Sequence, residues 1–140
     1  MSQTITVGFR KLVDDALEQI ETLSPAEAMA LHGGDDVVFV DIRDVRELSR
    51  TGKIPGAIHA PRGMLEFWID PASPYHKPVF AEDKRFVFFC AGGWRSALAT
   101  LTAKKMGLAP VCHIDGGFGG WEKAGGPIEK PEMAPGEKRA

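Results

Sequence analysis

Cysteine is scarce in this 140-residue chain, with two copies. Cys90 and Cys112 stand in no CxxC or CxxxH spacing, so the sequence offers no zinc-ligand pattern. Two cysteines are also too few for a secreted disulfide scaffold, which usually carries four or more in a shorter chain. His32, His59, His76 and His113 share no helical or hairpin spacing, and ordinary surface or half-buried histidines are expected rather than a metal cluster. Charge of one sign is lacking as well: 17 Lys and Arg against 19 Asp and Glu leave a formal net charge of −2. That balance gives no reason to expect nucleic acid or an anionic membrane as partner. No apolar run approaches the roughly 20 residues of a membrane span. The opening stretch MSQTITVGFRKLVDD has no apolar segment of signal-peptide length. Internal repeats are absent. These gaps leave a cytoplasmic protein with reduced thiols as the expectation.

What is present suffices for one domain with its own core. Hydrophobic residues make up 44% of the chain, as in average globular proteins. Phe9, Leu12, Val13, Ala16 and Ile20 follow the spacing of an amphipathic helix. Ser24-Pro25-Ala26-Glu27 carries a capping box with proline at the first helical position, and Gly33-Gly34 ends that helix. Val37 to Val40 and Phe86 to Phe89 are continuous runs of β-formers, as expected of strands buried on both faces. Pro110 to Ile114 reads as a third long strand and Ala57-Ile58-His59 as a very short one. Helices are expected from Arg95 to Met106, stopped by Gly107, and from Phe118 to Ala124, closed by Gly125-Gly126-Pro127. Strands alternating with helices argue for an α/β fold of three layers, a central, mostly parallel sheet with helices on both faces. The expected organisation is an N-terminal helical extension over 1–23, a domain over 24–128 and a loose tail over 129–140.

In such sheets, ligands bind beyond the carboxyl ends of the strands. Asp41, Cys90 and Asp115 all sit at such ends, so three polar side chains could converge on one rim, and whether Asp41 and Asp115 line the site is left open by the sequence. The informative segment is Cys90-Ala91-Gly92-Gly93-Trp94-Arg95-Ser96, between a buried strand and a helix. Its two glycines permit a tight turn whose N–H groups point inward and form a nest for an anion. The following helix aims its positive end at the same point. A cysteine at the base of this cradle is expected to be held as thiolate, the attacking form. Arg95 adds fixed positive charge. Cys112, mid-strand, is expected to pack. Arg43 with Glu47 is expected to form an internal ion pair, and Trp121 to pack the last helix onto the sheet. Phe67 and Trp68 are open between core and pocket rim, and Trp94 between pocket wall and packing.

From Ser24 to Ile128 the chain resembles a single-domain rhodanese, a sulfurtransferase of the thiosulfate type. The resemblance rests on Val37 to Arg43 with Glu47, Gly52 to His59, the loop Cys90 to Ser96, Asp115 to Phe118, Trp121 and Gly125-Gly126-Pro127, in the family's order and spacing. There are two departures. Lys53 stands where the family usually has histidine, and Arg62 to Lys77 is longer and more aromatic than in the smallest members. The resemblance implies that Cys90 takes a sulfane sulfur from thiosulfate or a persulfide donor, holds it as a persulfide, and yields it to cyanide or a thiol. Arg95 would balance charge on the leaving group. Ala91, Gly92, Gly93, Trp94 and Ser96 would bind substrate. No cofactor and no metal are implied. Two alternatives stay open: a persulfide carrier or regulatory module acting with protein partners, and a cysteine phosphatase or arsenate reductase. Against the second, four residues separate Cys90 from Arg95, where the related phosphatase signature has five.

Overall fold

The computed structural model describes residues 2–130. In chain order the elements are α1 (Phe9–Gln19), β1 (Glu21–Leu23), α2 (Pro25–Leu31), β2 (Val37–Asp41), α3 (Val45–Thr51), β3 (Ile58–His59), α4 (Leu65–Ile69), β4 (Arg85–Phe89), α5 (Trp94–Met106), β5 (Val111–Ile114) and α6 (Gly117–Lys123). Short 3₁₀ turns occupy Arg62–Met64 and Pro78–Ala81. The strands form one five-stranded sheet in the order β1-β5-β4-β2-β3, and every neighbouring pair is parallel.

The continuous apolar runs have a simple cause: successive side chains of a strand point to opposite faces, and here both faces are covered. Val40, Phe86, Phe88 and Val111 pack on one side against Leu65 and Ile69 of α4 and Ala99 and Ala103 of α5. Phe39, Val87, Phe89, Cys112 and Ile114 face the other side, against Ala28 of α2 and Phe118 and Trp121 of α6. Each fully buried phenylalanine contributes roughly 1.5–3 kcal/mol by leaving water. Outside α5 lies α1, whose Val13 and Ala16 bury against Ala97.

Local signals place the ends of the elements. Ser24 accepts from the Glu27 N–H and the Glu27 carboxylate accepts from the Ser24 N–H, so the capping box forms as its sequence predicts. A second box, Asp44 with Glu47, starts α3, an element the periodicity reading does not contain. Gly107 ends α5 in the left-handed region, at φ 103°.

The boundaries differ from the sequence reading at both margins. The N-terminal segment is more than a helical extension, because Glu21–Leu23 joins the sheet as β1, in register with Cys112–Ile114. Glu129 exchanges two backbone hydrogen bonds with Lys53, at 3.0 and 2.8 Å, and their side chains form an ion pair at 3.1 Å. The rest of the expected tail, 131–140, lies outside the described residues. No helix among the described residues is long and apolar enough to cross a membrane.

Candidate active site

Because β4 is the central strand, the loop after it opens at the middle of the sheet's carboxyl edge. The loop is wound around one atom. The Gly93 and Ser96 N–H groups donate to Cys90 Sγ at 3.1 and 3.4 Å. Of the loop N–H groups expected to point inward, these two are the ones bonded to the sulfur. Gly93 is required as glycine, since it holds φ 113° as the residue capping α5. Gly92 has an ordinary φ and open space where a Cβ would stand, so its neighbour alone makes the turn.

The outside of the loop is clamped by α6. The Phe118 and Gly119 N–H groups donate to the Cys90 and Ala91 carbonyls at 2.7 and 3.1 Å. This approach depends on Gly117, at φ 58°, where a Cβ would fall 2.4 Å from the Cys90 carbonyl oxygen. The Phe118 ring lies under the Arg43 guanidinium, 4.2 Å from centroid to Cζ.

Cys90 is 1% exposed and forms the floor of an open cleft of about 400 Å³, lined by Cys90, Gly92, Trp94 and Arg95. Trp94 does both things left open for it. It walls the cleft, and its ring packs on Phe9 of α1 with centroids 4.7 Å apart. Phe67 is exposed on α4, and Trp68 packs against the core; neither lines this cleft.

The charged residues pair differently from expectation. Arg43 does not pair with Glu47; its guanidinium grips Asp41 through Nε and Nη2 and also donates to Thr51 and the Gly52 carbonyl. The backbone explains this: two residues apart at a strand end, Asp41 and Arg43 are the nearer partners, and both are buried. Glu47 instead takes Arg95 in a two-pronged pair, 2.8 and 2.9 Å. The Arg95 hydrogen bonds pull the Glu47 carboxyl down to about 2, against a smaller upward push from burial. Arg95 is held charged beyond its ordinary range, first by Glu47 and then by the sulfur of Cys90. Convergence of three polar side chains on one rim does not occur. Asp41 is turned inward to Arg43, Asp115 is exposed, and neither lines the cleft around Cys90.

Behind the sulfur lies a group that the sequence reading left among ordinary histidines. His113 is 2% exposed, with Nδ1 at 2.8 Å from Ser96 Oγ and Nε2 at 3.0 Å from Thr22 Oγ1. Burial pushes its imidazole down to about 4, with Asp115 pulling the other way. A histidine inside the apolar run Val111-Cys112-His113-Ile114 was the available signal, since a polar residue on a buried strand needs partners. His32, His59 and His76 each bond a backbone carbonyl. Among the described residues no group of three His, Cys, Asp or Glu side chains is placed to hold a metal. Cys112 is fully buried, its thiol pushed up to about 12 by desolvation, which leaves it inert at neutral pH.

The chain is thus a parallel α/β domain whose central strand ends in a loop of N–H groups wound around a cysteine sulfur. The chain is a member of the rhodanese-like domain family, whose model matches residues 24–124. It is 30% identical over 100 residues to a mouse protein named thiosulfate sulfurtransferase/rhodanese-like domain-containing protein 3, covering 68% of this chain and 64% of that one. The chain thus spans less than two thirds of the curated relatives that it matches. Among solved structures, a Rhodopseudomonas palustris protein of unknown function, described as a possible tyrosine phosphatase, is 65% identical with a TM-score of 0.90. That match covers 92% of this chain and 99% of the other. The polysulfide-sulfur transferase homodimer of Wolinella succinogenes matches at 28% identity and a TM-score of 0.68, covering 93% of each.

Proposed function

We propose that this protein is a sulfurtransferase that carries a sulfane sulfur on Cys90. The observation that carries the reading is the pair of N–H groups, from Gly93 and Ser96, aimed at a single sulfur at the floor of an open cleft. Cys90 thiolate attacks the outer sulfur of thiosulfate or of a persulfide donor. The new S–S bond forms as the donor's S–S bond breaks, and sulfite or a thiolate leaves with the electron pair. The loop N–H groups stabilise the anionic persulfide, and Arg95 faces the charge on the departing group. An acceptor, cyanide or a thiol, then attacks the outer sulfur and returns Cys90 thiolate. Protein donors or acceptors fit the same cycle, because the cleft is open to solvent.

A phosphatase reading is suggested by the description attached to the Rhodopseudomonas relative. Loop size weighs against it. The six residues from Cys90 to Arg95 close a ring on one sulfur, with one residue fewer than the related phosphatase loop. Mass spectrometry after exposure to thiosulfate tests the proposal. A gain of one sulfur on the Cys90 peptide, reversed by cyanide, is expected. Thiosulfate-treated protein that remains unmodified, and turns over neither thiosulfate nor a persulfide donor, would refute it.

A further inference from the structure

The sulfur of Cys90 has a back as well as a front. Behind it runs an unbroken line of hydrogen-bonding groups: Cys90 Sγ to Ser96 Oγ at 3.6 Å, Ser96 Oγ to His113 Nδ1 at 2.8 Å, and His113 Nε2 to Thr22 Oγ1 at 3.0 Å. Cys90, Ser96 and His113 are 1%, 0% and 2% exposed, whereas Thr22 stands exposed on the edge strand. The register makes the line. His113 sits beside Phe88 of β4 and Thr22 of β1, on the face that α5 covers with Ser96. Thr22 also precedes the segment that matches the family model.

We propose that Ser96, His113 and Thr22 form a proton relay that discharges the Cys90 thiol at the rear of the site and turns a hydroxyl toward the sulfur anion. The proposal rests on Cys90 being the reacting thiol. Two hydrogen-bond arrangements satisfy every atom of the line. With a neutral thiol, S–H donates to Ser96 Oγ, Ser96 O–H to His113 Nδ1, and Nε2–H to Thr22 Oγ1. With a thiolate or persulfide anion, Thr22 O–H donates to Nε2, Nδ1–H to Ser96 Oγ, and Ser96 O–H to Sγ. Passing from the first to the second moves one proton along each link. One proton leaves sulfur, one reaches water from Thr22, and no electrons are exchanged with any other species. The imidazole is neutral in both arrangements and changes only its tautomer, which accords with its depressed basicity.

Ser96 has a competing acceptor, the Gly93 carbonyl at 3.3 Å, but the contact to His113 is shorter by half an ångström, 2.8 Å. Of the other charged groups, Arg95, paired with Glu47, faces the sulfur, and Asp115, beyond β5, acts on His113. None of them is altered in the variants that follow, so differences among these proteins report on the relay.

The test is nitrogen NMR of the labelled imidazole, set beside the pH dependence of iodoacetamide alkylation at Cys90. Above the alkylation midpoint, wild-type His113 is expected to carry its proton on Nδ1, while Cys90→Ser keeps it on Nε2 throughout. Ser96→Ala should move the alkylation midpoint upward by about one pH unit, the scale of one lost hydrogen bond to an anion. Its alkylation should recover fully at higher pH, which a merely structural defect would not do. His113→Asn, which keeps an amide facing Ser96, should shift the midpoint less than His113→Leu. The same tautomer in wild type and Cys90→Ser above the midpoint, or a Ser96→Ala midpoint equal to wild type, overturns the relay. Both readouts are independent of sulfur transfer, so a failed sulfurtransferase assignment would appear separately, as absence of the persulfide.

Discussion

At the scale of the residue, two cysteines of similar burial stand in different surroundings. Cys90 receives two N–H bonds at the floor of a cleft, and Cys112 is buried in the core, where its thiol donates to the Phe86 carbonyl at 3.6 Å. Cys90→Ser is therefore expected to abolish thiosulfate:cyanide transfer, while Cys112→Ser keeps most of it; equal losses in a steady-state assay would call for a two-thiol mechanism. Arg95 has its charge aimed by Glu47. Arg95→Ala should lower the second-order rate constant for thiosulfate by about 10- to 100-fold, from one lost charge-assisted bond of roughly 1.5–3 kcal/mol. Arg95→Lys should recover only part of this, since a point charge lacks the planar fork. Glu47→Gln should fall between wild type and Arg95→Ala, because the guanidinium remains but is no longer held in place. His113 adds a pH dependence to stability. Its folded value of about 4 lies below the ordinary 6.5, so the unfolded chain takes up a proton in that interval that the folded chain refuses. The contribution of His113 should thus be complete above pH 6.5 and fall away as pH drops from 6.5 to 4, a loss of up to about 3 kcal/mol, below which protonation of the paired Glu47 adds its own loss. Urea titrations of wild type and His113→Asn should show this slope only in the former.

At the scale of the element, the loop holds its shape because a helix end is pressed against it. The first N–H groups of α6 satisfy the Cys90 and Ala91 carbonyls, which frees the inward N–H groups for the sulfur. Gly117→Ala places a methyl group on the Cys90 carbonyl and strains a positive φ. A loss of about 1–3 kcal/mol in stability is expected, together with at least a tenfold loss of sulfur transfer. Gly92→Ala meets open space and should leave thermal unfolding within about 0.5 kcal/mol of wild type. Comparing the two by denaturation and activity separates the glycine that packing requires from the one that it does not. The β1 strand shows the same interdependence. Three residues cannot stand alone as a strand, and Glu21–Leu23 is ordered by its pairing with β5, which brings Thr22 to His113.

At the scale of the whole molecule, the sheet order sets the short loop after β4 between the first turns of α5 and α6. The wild-type protein should transfer sulfur and show no appreciable hydrolysis of an aryl phosphate. A glycine inserted after Gly93 should widen the ring, lower sulfur transfer and improve binding of phosphate-like oxyanions, with α5 retained by circular dichroism. Wild-type phosphate hydrolysis rivalling sulfur transfer would overturn the argument from loop length.

The sequence by itself determined the features that depend on near neighbours. The central strands β2, β4 and β5 are legible as runs of β-formers, α2 as its capping box, and the cradle as a cysteine followed by glycines and a helix start. The box Asp44 to Glu47 was equally local, and α3 was there to be read from it. Only the tertiary structure decided which distant side chains meet. Glu47 and Arg95 are 48 residues apart, Ser96 and His113 are 17 apart, and Thr22 and His113 are 91 apart. Local propensity is set by the chemistry of adjacent residues, so it is written in the order of the chain. Partner choice is set by strand order and register, and burial makes it binding, because a polar group removed from water must bond to whatever the fold has brought beside it.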